Sequence, residues 1–75
     1  MFKKKKLKKE IEKSKLKIEA IEQKRSRSQA ALVEAILKHE EPNDKDVDFF
    51  NQFTEQIDEE RNHLHELMSE LEKLG

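Results

Sequence analysis

The chain has no cysteine, no tryptophan and no tyrosine, and only one glycine and one proline among its 75 residues. Without cysteine there is no disulfide framework and no Cys-ligated zinc or iron–sulfur site. One glycine and almost no turn dipeptides argue against an architecture of strands and tight turns. No apolar run approaches the roughly 20 residues that a membrane-spanning helix needs. There is no glycine-rich phosphate loop and no nucleophile beside a base. A chain this short buries little surface, and its carboxylates fall on solvated helix faces. The expectation is a non-enzyme with no cofactor, no metal and no small-molecule substrate. Residue 2 is Phe rather than Gly, which excludes N-myristoylation. The basic start is followed by no apolar core, so it is not a secretory signal, and the expected location is the cytoplasm.

What the chain does have is charge, on 44% of its residues, with a formal net of only −1. That total hides a separation. Residues 1–38 hold 13 Lys/Arg against 5 Asp/Glu, a net of +8, and residues 39–75 hold 3 against 12, a net of −9. Two halves of opposite sign speak to pairing within the chain and to the charge of a partner.

Leu7, Ile11, Ser14, Ile18, Ile21, Arg25, Ser28, Leu32 and Ala35 recur at alternating steps of four and three. That is the stripe of a helix with coiled-coil spacing, and it predicts one helix over about residues 4–39. Pro42 disfavours helical geometry at Glu41, and Pro42-Asn43-Asp44 is the one turn signal, which places a loop over about 40–44. Asn43 or Asp44 is suited to cap a following helix, with Asp44, Asp46 and Asp48 in or near its first turn. Phe50, Phe53, Ile57, Leu64, Leu67, Leu71 and Leu74 form the second stripe, predicting a helix over about 44–73 with Gly75 beyond its end. Two long helices on a short loop become antiparallel neighbours. The expected fold is therefore all-α: one domain, an antiparallel coiled-coil hairpin that dimerises into a four-helix bundle. A parallel coiled coil of straight chains is opposed by Pro42.

Each stripe has a polar interruption, Arg25 and Ser28 in the first and Glu60 and Arg61 in the second. Aligning them as one polar layer, with the loop centred on Asn43, sets Phe50 beside Ile36, Phe53 beside Val33, Leu64 near Ile21 and Leu74 near Ile11. A polar layer costs stability and fixes register. This alignment also leaves residues 1–10 as a basic overhang.

Two surfaces stand out. Val33, Ile36, Leu37, Val47, Phe49, Phe50 and Phe53 gather at the loop end, a wider apolar surface than two helices bury against each other. It is expected to mediate self-association or protein docking. Lys3, Lys4, Lys5, Lys6, Lys8 and Lys9 gather at the open end, where they suit an anionic partner. The expected function is a small interaction or adaptor protein using both ends. One alternative is a nucleic-acid-associated accessory protein, since lysines bind phosphates without regard to sequence. Another is a structural coiled coil whose lysines only aid solubility. Base-specific reading has little support: the stretch is all lysine until Arg25, and Phe2 is its one aromatic. A membrane surface is disfavoured because Phe2, Leu7 and Ile11 are few anchors and the latter two belong to the stripe.

Glu60 and His63 match the Glu-x-x-His spacing of di-iron bundles, but the expected register brings Arg25 and Ser28 to that level rather than carboxylates. His63 and His65 point to different faces, and His39 lies by the loop without credible co-ligands. Arg25-Ser26-Arg27-Ser28 resembles a basic phosphorylation site but falls inside the first helix, where small polar residues of a polar layer are the simpler reading.

Overall fold

The computed structural model describes residues 2–75, so Met1 lies outside the described residues. Two helices, α1 (Phe2–Leu37) and α2 (Asp44–Leu74), pack against each other as a hairpin. The rod measures 57 × 15 × 14 Å. The all-α hairpin is the architecture that the two sequence stripes imply.

The helices are built differently. Helix α1 contains neither glycine nor proline and is rich in Lys, Glu, Leu and Ala, all strong helix formers. Its ends are electrostatically poor. The first turn has no acidic residue and the last turn no basic one, so nothing charged offsets the helix dipole. Packing holds this helix in place. Helix α2 is favoured locally at both ends. Asn43 is extended (φ −65°, ψ 132°), and its Oδ1 accepts the Lys45 amide at 2.9 Å. Asp44 and Asp46 occupy the first turn and Lys73 the last. The Gly75 amide donates to the Leu71 and Glu72 carbonyls, closing the C-terminus.

Helix α1 stops earlier than Pro42 alone would require. The Glu40 amide donates to the Ala35 carbonyl at 2.9 Å and the His39 amide to the Ile36 carbonyl at 3.1 Å. This paired closure is a Schellman motif, and it needs a left-handed residue just past the helix. His39 supplies it with φ 59°. The helix therefore ends at Leu37, and the loop covers residues 38–43.

The core forms two clusters. Leu7, Ile11 and Leu67 are buried together, with Leu64 and Leu71 packed on them. Ile18, Ile21 and Ile57 form the second, with Phe53 and Leu64 packed on it. Ile57 is fully buried.

These contacts correct the expected register. Phe53 packs with Ile18 and Ile21, not beside Val33. Leu64 keeps to the cluster of Ile21, as expected, and also packs on that of Leu7 and Ile11. The helices are slid by about twelve residues, somewhat more than three helical turns, from the expected alignment. Two causes are visible. A stripe of period 3.5 resembles itself after every turn, so it tolerates several alignments. The Schellman closure at His39 also moves the loop centre several residues before Asn43. The basic overhang is corrected with it. Leu7 is buried against α2, and Lys3, Lys6 and Leu7 share a groove with Glu70, Lys73 and Leu74.

Candidate interaction surfaces

The polar layer of the hairpin is made by Ser14 and Glu60. Ser14 is 4% exposed and donates its hydroxyl to Glu60 Oε1 at 2.9 Å. Lys17 Nζ stands 3.3 Å from Glu60 Oε2. The layer separates the two apolar clusters, so sliding α2 by a heptad would press the Glu60 carboxylate onto Leu7 or Ile21. The Ser14 hydrogen bond holds the Glu60 carboxyl below the usual carboxylate range; desolvation opposes this, and Lys17 and His63 reinforce it.

The four residues expected to share one layer are thus divided. Glu60 pairs with Ser14 and Lys17, and Arg61 reaches Glu22 across the hairpin at 3.0 Å. Ser28 is buried, but its hydroxyl turns to the Lys24 carbonyl of its own helix at 3.4 Å. Arg25 is half-buried. Ser14 was the overlooked partner. Its signal in the sequence was that it alone is polar between Ile11 and Ile18 on the first stripe.

The loop end carries the expected apolar residues, and most of them are uncovered. Ile36 is 62% exposed, Leu37 74%, and Val33 and Phe49 47% each; Val47 is also exposed. Phe50 and Phe53 are half-buried. The Phe49 ring lies on the Phe53 ring, with centroids 6.1 Å apart and planes 13° from parallel. Ala30, Ala31, Leu32, Val33, Ala35, Ile36 and Leu37 surround the last two turns of α1 with apolar side chains on nearly every side. A helix apolar all round is a buried helix, yet α2 covers only one side of this one.

At the open end, Lys3, Lys4, Lys5, Lys6, Lys8 and Lys9 are all exposed on helical backbone. The bland reading has Glu66, Glu70 and Glu72 neutralising them. Among the described residues, however, the cross-helix ion pairs are Lys17–Glu60 and Arg61–Glu22, and the third pair, Lys38–Glu34, lies within one helix. Lysines 3 to 15 join none of them.

His63 stands near Glu60 in a shallow groove that Glu10, Lys13, Ser14 and Lys17 complete. Two lysines there take the place that metal ligands would need. Among the described residues no helix is long and apolar enough to cross a membrane. Comparison with known protein families, with curated proteins and with solved structures yields no match.

Proposed function

We propose that this chain is a non-enzymatic helical-hairpin interaction protein. It is a coiled-coil rod whose apolar loop end self-associates, forming a homodimer with a four-helix core, and whose lysine-rich open end faces an anionic partner. One observation carries this reading. Every buried apolar side chain lies before residue 22 or after residue 56. The span between holds Leu32, Val33, Ile36, Leu37, Val47 and three of the four Phe. Clustered exposed apolar side chains support a protein contact there, and a lone two-helix hairpin is marginally stable without further burial. A second copy supplies the same apolar turns in return, as a two-fold interface requires.

The test uses Ile36→Glu with Phe49→Glu. Both side chains are exposed, so the hairpin itself keeps its core. Sedimentation equilibrium is expected to give twice the 9.0 kDa chain mass for the parent. The double variant is expected to sediment as a single chain with its helical circular dichroism intact. A parent that sediments as one chain throughout its concentration range would overturn the reading.

A further inference from the structure

We propose that the outer face of α1 at the open end is a docking face for the phosphate backbone of a nucleic-acid duplex. The inference deepens the anionic-partner half of the reading above and is independent of self-association at the loop end.

Its first support is placement. Leu7, Ile11 and Ser14 point into the hairpin, being 7%, 8% and 4% exposed. The 3.6-residue period then sets Lys5 and Lys9 on the side of α1 opposite α2, beside Glu12 and Leu16, with Lys6 and Lys13 on the flanks, where they also line grooves against α2. All four are exposed, and none belongs to an ion pair among the described residues. Lys5, Lys9 and Lys13 follow one another at four-residue steps, about 6 Å along the axis. One strand of a duplex advances about 3.4 Å per phosphate, so each step spans about two phosphates. The lysines stand on a formed helix, so they meet a stiff polyanion without first being ordered.

Its second support is the distance from the acidic side. Glu70 lies nearer, in the groove with Lys3 and Lys6, but Asp48, Glu55, Asp58 and Glu66 line the outer side of α2, across a rod about 15 Å thick. That exceeds the screening length of about 8 Å at physiological ionic strength. A polyanion on the α1 face is therefore shielded from the acidic face. The acidic face also disfavours a second duplex and gives the rod one binding side.

The same geometry argues against the other anionic partners. An anionic membrane needs apolar anchors beside the lysines, and Leu7 and Ile11 are committed to the core. Phe2, 92% exposed, and Leu16, 57% exposed, are left as two isolated anchors, about 21 Å apart along the helix. A single strand needs a row of stacking aromatics, and the other three Phe are at the far end of the rod.

The experiment is fluorescence anisotropy with a labelled random-sequence DNA duplex and the full chain, over a series of salt concentrations. Four engaged lysines predict a log–log salt slope of about −3.6, so a fourfold rise in salt weakens binding roughly 150-fold. The triple variant Lys5→Glu, Lys9→Glu, Lys13→Glu is expected to abolish binding. Lys24→Glu with Lys45→Glu, also exposed but away from the open end, is expected to retain most of it. Circular dichroism confirms that each variant is folded. A triple variant that is folded and binds like the parent would overturn the proposal. So would equal affinity for the single strand, or preference for phosphatidylserine vesicles or polyglutamate; the last two would keep an anionic partner and remove the duplex. No binding to any of these at low salt would overturn both the duplex and the anionic-partner reading, leaving the loop end unaffected.

Discussion

The two halves of the rod use their apolar residues in opposite ways. The open-end half is crowded with lysine, yet it contains both core clusters, from Leu7 and Leu67 up to Ile21 and Ile57. The loop-end half, residues 22–56, is about as apolar in sequence, with 11 apolar residues of 35 against 14 of 40, yet its one buried residue is Ser28. The contrast follows from how the residues are distributed around α1. Near the open end most apolar residues of α1 keep to one stripe, which a single neighbouring helix buries at Leu7, Ile11, Ile18 and Ile21, with Phe2 and Leu16 the exposed exceptions. Near the loop Val33, Ile36 and Leu37 leave that stripe, and one neighbour covers only part of the surface. The total of apolar residues in a segment therefore says little about where the core is. Confinement to a stripe says where two helices suffice, and departure from it says where something more is required.

The sharpest way to break this contrast is to truncate one residue from each half. Ile57 is fully buried between Ile18 and Ile21. Removing its side chain leaves a cavity and loses transfer energy, together about 2–5 kcal/mol. A chain of this size has a total stability of that same order, so Ile57→Ala is expected to unfold the hairpin, read as loss of helical circular dichroism. Leu37→Ala, at 74% exposure, is expected to leave a single hairpin's helicity unchanged and to weaken only the concentration-dependent part of its melting. Equal losses for both variants would mean that the halves do not differ as described.

The next effect lies between the two clusters. The folded Glu60 carboxyl titrates below its unfolded value, held there by Ser14 first and by Lys17. A depressed carboxyl stabilises the fold above its unfolded value, and that stabilisation is lost as pH falls through the folded one. Glu60→Gln removes this contribution. The variant is expected to be less stable than the parent at neutral pH by about 1 kcal/mol, the scale of one hydrogen bond to a charge with a largely exposed ion pair. The two denaturation midpoints should converge in acid, below the ordinary glutamate range. A gap independent of pH would remove Glu60 from the titrating role.

Much of the fold was legible in the sequence and the register was not. The alternating steps of four and three from Leu7 to Ala35 identify a helix face directly. The sequence Pro42-Asn43-Asp44 marks the turn, and Asn43 does cap α2. Register is a different kind of information. Arg25 and Ser28 offered one polar gap and Ser14 another, and both fit a stripe that repeats every heptad. What separates them is the preference of a carboxylate for a small hydroxyl with a lysine one turn on, over a level where Ser28 bonds its own backbone instead. That is a matter of side-chain geometry, invisible to spacing. The loop-end and open-end surfaces were both legible from composition. Which lysines face away from α2, and how uncovered Ile36 and Leu37 are, required the packing.

The smallest predicted effect concerns the joint between the halves. His39 adopts φ 59° in the closure of α1. The left-handed region costs an L-residue about 1–2 kcal/mol, and glycine escapes that cost while losing more entropy on folding. His39→Gly is therefore expected to stabilise the hairpin by about 0.5–1 kcal/mol net, the usual scale of backbone effects at such positions. For a domain of this length that raises the melting temperature by about 2–8 °C. The site touches neither apolar cluster, so the gain can appear in a melt monitored on the core only if loop and core unfold together. A higher midpoint with an unchanged slope would show that the loop closure and the distant Ile57 cluster belong to one cooperative unit. An unchanged midpoint would mean that the loop end opens on its own, and that the exposed turns of α1 stand on a segment whose order depends on what covers it.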